Sequence, residues 1–368
     1  MPMANKKILY LLQIAPPVHG VTVMNGIIAE SPLLTKASQA RVVYLNYNKD
    51  LSEERAISTR KVFRYVKAWS AIFFSLIFFR PSHVYFPVPP AGFGLLKELP
   101  NIILIKIFRV KIIYHLHGVG INKFKDKKIH FFLLRFIFSN SFVIHLSSGL
   151  IKKDFNLLRP QKTQYFALPN CVRQVHFPSL KTDSNVKEFL FLSNIQESKG
   201  IFILLKAFGN LIAENRNIHL SIIGGFRDEN TRVKFFKKIN EYGLRNAITY
   251  FGELHGEKKN SVMSKCDVLV HPSYSDAFPL VVLEAMQQGL AIVCSDQGAL
   301  PEVVDEGFGR VFPTGDCESL LADMRYMATN AEHLDLMKKR AREVFLNMYT
   351  EEKFITQLLK IFNCARVD

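Results

Sequence analysis

Short, near-continuous apolar runs alternate along this chain with longer stretches whose apolar residues recur every three or four positions. The short runs predict strands at Ile8–Gln13, Arg41–Leu45, His83–Pro87, Lys111–His117, Phe142–Leu146 and Thr163–Ala167. A second series follows at Glu188–Leu192, Asn217–Ile223, Ala247–Phe251, Asp267–His271 and Ala291–Cys294. Helical periodicity predicts Val21–Ala29, Gly200–Glu214, Thr231–Tyr242, Glu257–Lys265 and Leu280–Gln288, then a helical tail over Glu318–Asn330, Ala331–Tyr349 and Glu351–Phe362. Strands that are apolar throughout, alternating with helices, imply parallel sheets covered on both faces. The polar stretch Ser179–Lys187 interrupts the pattern and reads as a linker. The division expected is residues 1–180, residues 181–348 and a C-terminal helix over 349–368.

At 368 residues the chain suits two domains of ordinary size, and 48% hydrophobic with 22% charged residues is a globular composition. The net charge of +16 is unevenly spread: residues 1–180 hold 25 Lys and Arg against 7 Asp and Glu, while residues 181–368 hold 23 against 25. Such a basic half attracts nucleic acid, an anionic membrane or a phosphorylated substrate, and charge alone does not choose. Five scattered cysteines argue against a disulfide framework or zinc knuckle and favour a reducing compartment. Met1–Lys7 runs directly into apolar Ile8–Leu12, which reads as a first core strand rather than a signal peptide.

Two basic, Phe-rich segments of the first half add to this. Arg60, Lys61, Arg64 and Lys67 precede the apolar run Ala68–Phe79, and Lys123, Lys125, Lys127 and Lys128 precede another that ends at Phe138. Each run falls short of the roughly 18–20 residues that span a bilayer, and both fit helices lying in an anionic interface.

The chemistry concentrates between Asp267 and Glu302. A strand runs through His271-Pro272-Ser273 into the loop Tyr274-Ser275-Asp276-Ala277-Phe278, and a helix predicted to start at Pro279 carries Glu284. One acid then sits just outside a helix N-terminus and the other about a turn and a half inside, with the amides of Leu280 and its neighbours between. Amides and the positive helix end suit a phosphate, and carboxylates suit hydroxyls. Alone, this spacing fits equally a helix cap and a surface glutamate.

The ordered string is more specific. Asp276-Ala-Phe-Pro-Leu-Val-Val-Leu-Glu284-Ala-Met-Gln-Gln-Gly289, then Gly298-Ala-Leu-Pro-Glu302, resembles the retaining glycosyltransferases of family 4, whose mark is two glutamates separated by seven residues, then Ala-Met and a glycine. Phe191-Leu-Ser193-Asn194 with Lys199-Gly200, Ile222-Ile-Gly224-Gly225, Phe251-Gly252, Pro169-Asn170, His117-Gly118 and Pro16-Pro17-Val-His19-Gly20 fall in the same order. The resemblance is densest over residues 188–315.

It implies two Rossmann-like, doubly wound parallel-sheet domains facing across a cleft (the GT-B type), with a C-terminal helix crossing back. The implied donor is a nucleotide sugar, UDP- or GDP-linked, and no metal or other cofactor is implied for the chemistry. Carried over by position, Lys199 meets the diphosphate, Asp276 the sugar hydroxyls and Glu284 the ribose. His117 approaches the sugar, Gly20 lets a loop come near the phosphates, and Phe278 and Leu280 line the donor loop. Three departures from the pattern stand out: Asp276 is one methylene shorter than the usual Glu, Asn194 replaces the usual Arg, and Pro279 replaces a common Gly. Arg227 is a candidate substitute for the missing cation.

Period two puts His115 and His117 on one face of their strand, with His117 at the carboxyl edge where open α/β sheets bind ligands. His115 and His19 are expected as a core and a loop histidine; His145, His271 and the cysteines carry no functional expectation. The resemblance implies retaining transfer of a hexose to a lipid-linked saccharide, in polysaccharide or lipopolysaccharide synthesis. The enzyme is then expected to be cytoplasmic and peripheral to the inner face of an anionic membrane. Two other classes compete: a nucleotide-sugar epimerase on the same architecture, and a basic nucleic-acid-binding module. No RNA-binding aromatic motif, KH-type loop or recognition helix supports the last, and nucleic acid is not expected as a partner.

Overall fold

A computed structural model describes residues 6–47, 59–124, 127–175, 187–214 and 217–365. The expected linker lies largely outside the described residues, as does Lys125. The chain forms two units: residues 1–173 with 351–368, and residues 174–350.

The first unit is a six-stranded parallel sheet of β1 (Lys7–Leu12), β2 (Gln39–Tyr44), β3 (His83–Val88), β4 (Lys111–Leu116), β5 (Phe142–His145) and β6 (Gln164–Ala167). The order is β2-β1-β3-β4-β5-β6. Alternation along each strand assigns the two faces. Leu9, Leu11, Val84, Phe86, Ile112, Tyr114 and Val143 share one core with residues of the helices Thr59–Phe74, Leu99–Ile107 and Lys128–Phe138. On the opposite face Tyr10 and Tyr85 meet Phe362, with ring centroids 6.1 and 5.8 Å away, and His115 stacks on Phe354 at 6.3 Å. Both phenylalanines come from the C-terminal helix Glu351–Cys364, which therefore completes the first sheet. Lys6 Nζ donates to the carbonyls of Phe362 and Ala365 (2.7 and 2.8 Å), capping that helix with a cation at its negative end.

The Thr59–Phe74 helix continues as a π-helical segment, Ser75–Phe79. This corrects the expectation from sequence. The apolar stretch is longer than Ala68–Phe79, because Val62–Phe79 is a continuous 18-residue helical window of mean hydropathy 1.5, apolar and long enough by composition to cross a bilayer. Ile72 and Leu76 within it are buried in the sheet's core, so in this fold the helix lies along the sheet.

The second unit is also six-stranded and parallel: β7 (Lys187–Leu192), β8 (Ile218–Ile223), β9 (Ile248–Tyr250), β10 (Val268–His271), β11 (Ala291–Ser295) and β12 (Gly309–Phe312), ordered β12-β11-β10-β7-β8-β9. The edge strand β12 is absent from the strands that the pattern predicts. The helices Ile201–Glu214 and Cys317–Thr329 pack on the core of this sheet through Leu204, Phe208, Leu320 and Met324. From β7 the chain winds one way through β8 and β9, then restarts at β10 on the other side. β7 and β10 therefore flank the point where strand order reverses, and the crevice outside their carboxyl ends is where open α/β sheets hold ligands.

Candidate functional site

The loops leaving β7 and β10 carry Lys199 and Asp276, and they are tied together. Tyr274 N donates to the Ser198 carbonyl at 2.9 Å, and Ser295 Oγ from the end of β11 donates to the Ser273 carbonyl at 2.6 Å. Gly200 (φ +75°) makes the approach possible, because a Cβ there would sit 1.9 Å from the Pro272 carbonyl oxygen. Gly298 plays the same part behind Asp276, where a Cβ would come within 2.3 Å of its carbonyl oxygen.

These constraints bring Lys199 Nζ to 2.8 Å from both carboxylate oxygens of Asp276. His271, the last residue of β10, donates from Nε2 to Asp276 Oδ2 at 2.9 Å. Burial opposes ionisation of Asp276, but the hydrogen bond from His271 and the adjoining Lys199 ammonium outweigh it and hold the carboxyl well below the usual carboxylate range. The result is a partly buried, fixed anion beside a cation, at the switch point of a parallel sheet.

The adjoining helix runs Leu280–Gln288, with Pro279 outside it as an extended N-cap (ψ 124°) rather than in its first turn. The half-buried Leu280 is its first residue, and Phe278 is buried against Tyr349 at 6.1 Å. Glu284, further along the helix, pairs through Oε1 with Lys259 Nζ at 2.7 Å. Asn194 is exposed on the β7 loop. Arg227, after β8, donates to Gln196 Oε1 of that same loop at 3.0 Å, so it belongs to this loop cluster but meets Gln196 rather than Asp276.

In the first unit, His117 follows β4 with its ring 4.0 Å from that of His115. Its Nδ1 is 3.2 Å from Asn170 Oδ1. A carboxamide oxygen only accepts, so this nitrogen carries the proton and Nε2 the lone pair. His117 Nε2 is buried with no partner. Burial drives its pKa down, with the Asn170 contact opposing and His145 and His19 adding repulsion, to about 4. His117 is thus a neutral acceptor at ordinary pH. His115 is fully buried and bonds Tyr85, and His19 caps the helix Gly20–Glu30 in a reciprocal box with Thr22. A Cβ on Gly20 would meet nothing within 4 Å, so packing imposes no glycine there.

Sequence reasoning missed His271 and Lys259. The rule that singled out His117, a histidine at the last position of a strand, applies equally to His271 and could have found it. No local signal marks Lys259, whose partner lies on another helix. Among the described residues, no three His, Cys, Asp or Glu side chains gather so as to hold a metal ion.

Residues 172–344 match the family described as glycosyl transferases group 1. The chain is 25% identical over 265 residues to N-acetyl-alpha-D-glucosaminyl L-malate synthase of Bacillus anthracis, covering 69% of this chain and 68% of that protein. It is 31% identical over 134 residues to O-antigen chain mannosyltransferase B of Escherichia coli, covering 36% of this chain and 34% of that protein. In fold it is similar to Anabaena Alr3699/HepE, solved in complex with UDP and glucose, with a TM-score of 0.71 at 16% identity over 98% of this chain and 100% of that one. The second unit thus carries the sequence pattern of the group 1 glycosyltransferases, and the two-sheet architecture along the whole length of the chain is the GT-B fold.

Proposed function

We propose that this glycosyltransferase moves a hexose from a UDP- or GDP-linked donor, with retention, to a lipid-linked saccharide in the synthesis of cell-surface polysaccharide or lipopolysaccharide. The observation that carries the donor site is the Lys199–Asp276–His271 set at the switch point between β7 and β10. We assign Lys199 and the amides at Leu280 to the diphosphate, Glu284 to the ribose hydroxyls and Asp276 to hydroxyls of the sugar. Gly20, Asn194, Phe278 and Arg227 are assigned to the rest of the donor surface. His117, accepting at Nε2, is assigned to a hydroxyl of the transferred sugar.

In this reading the bond from the anomeric carbon to the diphosphate oxygen breaks as the acceptor oxygen bonds to that carbon from the same face. The acceptor's proton passes to the leaving phosphate. Lys199 stabilises charge where it develops, and the fixed carboxylate of Asp276 orients the sugar without reorganising. The UDP bound by the Anabaena protein and the O-antigen chain for which the Escherichia coli relative is named support the donor and the pathway. The free cysteines and the basic first unit support a cytoplasmic enzyme at an anionic membrane.

Calorimetry with UDP, GDP and their sugar conjugates tests the donor site. Binding of one nucleoside diphosphate, weakened by Lys199→Ala and by Glu284→Gln, is expected. Absence of binding by any member of the panel would end the reading. Transfer of labelled sugar to a lipid extract, with NMR of the product's anomeric centre, tests acceptor and retention.

A further inference from the structure

Three neighbouring helices of the first unit bury one side in the sheet's core and turn an apolar, carboxylate-free side outward. On the first, Phe63, Phe74 and Phe78 are 70%, 53% and 74% exposed. A four-residue repeat on an α-helix drifts by about 40° per step. The wider turn of the π-helical segment Ser75–Phe79 offsets that drift, and Phe78 stacks under Phe74 at 6.1 Å and 18°. The second helix, Leu99–Ile107, presents Ile107 and is joined to the first by Phe73 against Phe108 at 6.1 Å. The third, Lys128–Phe138, presents Ile129 and Phe132. It joins the second through Lys106 Nζ, 2.8 Å from the Ser139 carbonyl and 5.3 Å from the Phe136 ring.

The charges around these side chains have one sign. Residues 59–80, 99–107 and 127–138 include nine Lys and Arg and no Asp or Glu. Among the described residues from 6 to 173 the acids are Glu30, Glu98 and Asp154. The last two are buried, and Glu30 pairs with Arg173.

We propose that this three-helix face is a docking surface for an anionic lipid bilayer, with the exposed rings inserted at the headgroup boundary and the surrounding cations on the headgroups. It deepens the membrane part of the function proposed above and rests on it for the acceptor, though not for the donor. A second copy of the chain is a poor occupant. In a two-fold interface each patch meets itself, and these cations would face one another with no carboxylate on the three helices, among the described residues, to pair with. Lipid phosphate supplies the missing charge, and the acyl boundary receives phenylalanine.

The test is co-sedimentation of the full chain with vesicles of phosphatidylglycerol and phosphatidylcholine, or of phosphatidylcholine alone, at low and high salt. The expected result is binding to the anionic vesicles that falls with salt and drops about tenfold or more in the double variant Phe78→Ser, Phe132→Ser. A second variant, Lys67→Gln with Lys128→Gln, is expected to bind more weakly and with a flatter salt dependence. All four positions are exposed, and a thermal melt checks the fold. No binding by the wild type, or undiminished binding by both variants, overturns the proposal. So does a concentration-dependent dimer that the phenylalanine variant abolishes. Nucleoside diphosphate binding, measured on the same samples, separates the two readings: vesicle binding without nucleotide binding leaves this face standing and removes the donor site.

Discussion

Lys199 and Asp276, 77 positions apart in sequence, form one ion pair, with Nζ 2.8 Å from each carboxylate oxygen. A cation assigned to the diphosphate is therefore already engaged by the acid assigned to the sugar. Asp276→Asn weakens that hold on Lys199. Free nucleoside diphosphate is expected to bind the variant as well as or more tightly than wild type, while binding or turnover of the intact sugar nucleotide falls. Calorimetry with both ligands decides it. An equal loss for the two would make Asp276 a structural brace of its loop.

Removing the cation has a different signature. Lys199→Ala is expected to lose about 10- to 150-fold in activity, the worth of one charge-assisted hydrogen bond of about 1.5–3 kcal/mol. With Asn194 exposed in place of the family's usual Arg, there is less redundancy at this point. Steady-state kinetics check it, and activity within twofold of wild type would turn attention to Arg227.

Glu284→Gln should weaken free nucleoside diphosphate and intact donor alike, because the ribose is common to both. Lys259→Met, which leaves the carboxylate but removes the group holding it, is expected to give a smaller loss for the same two ligands. A loss confined to the intact donor in either variant would exclude the ribose assignment.

Two glycines should part company. Gly200→Ala places a Cβ 1.9 Å from the Pro272 carbonyl oxygen in a left-handed conformation. It is expected to destabilise the second unit by more than about 1 kcal/mol and to abolish activity, because it displaces the loop bearing Lys199. Gly20→Ala meets nothing within 4 Å and should melt like wild type. Any activity it loses then reports on ligand rather than on fold.

The first unit should be sensitive to acid. Burial lowers His83 and His117 from 6.5 to about 4 and holds His115 well below its ordinary value. The unfolded chain takes up these protons first, so the stability these neutral rings contribute is complete above about pH 6.5 and is lost as pH falls towards 4. A thermal midpoint that falls over that window, and falls less in His83→Phe, is expected. A flat profile would contradict the burial of these rings as neutral groups.

Each predicted strand formed: β1, β4 and β10 are buried on both faces and write uninterrupted apolar runs, while the more exposed β2, β6 and β9 are marked by β-branched and aromatic residues. β12 escaped because Gly309-Arg-Val-Phe312 is short, half polar and at the edge. The Leu99–Ile107 helix escaped for the opposite reason. Ile103 and Ile107 are apolar on its outer side as well, which removes the contrast that periodicity needs. Lys199, Asp276, Glu284 and His117 were singled out as candidates by the resemblance of their ordered motifs to a known family, since neither the spacing of the two acids nor a histidine at a strand end distinguishes a site by itself. Their partners His271 and Lys259 were not, since a sequence displays residues singly and these matter through contacts across loops and helices.

The C-terminal helix closes the first sheet from far along the chain, with Phe354 and Phe362 set against His115, Tyr10 and Tyr85. In chain order the second unit is an insertion within the first. During synthesis residues 174–350 can reach their final contacts while the first sheet still has one face open, with Lys6 lacking its two carbonyl acceptors. Each buried phenylalanine there is worth about 1.5–3 kcal/mol. A fragment that ends at the unit boundary near residue 173 therefore exposes apolar sheet and invites aggregation, whereas one that rejoins residues 351–365 to the first unit restores a closed core.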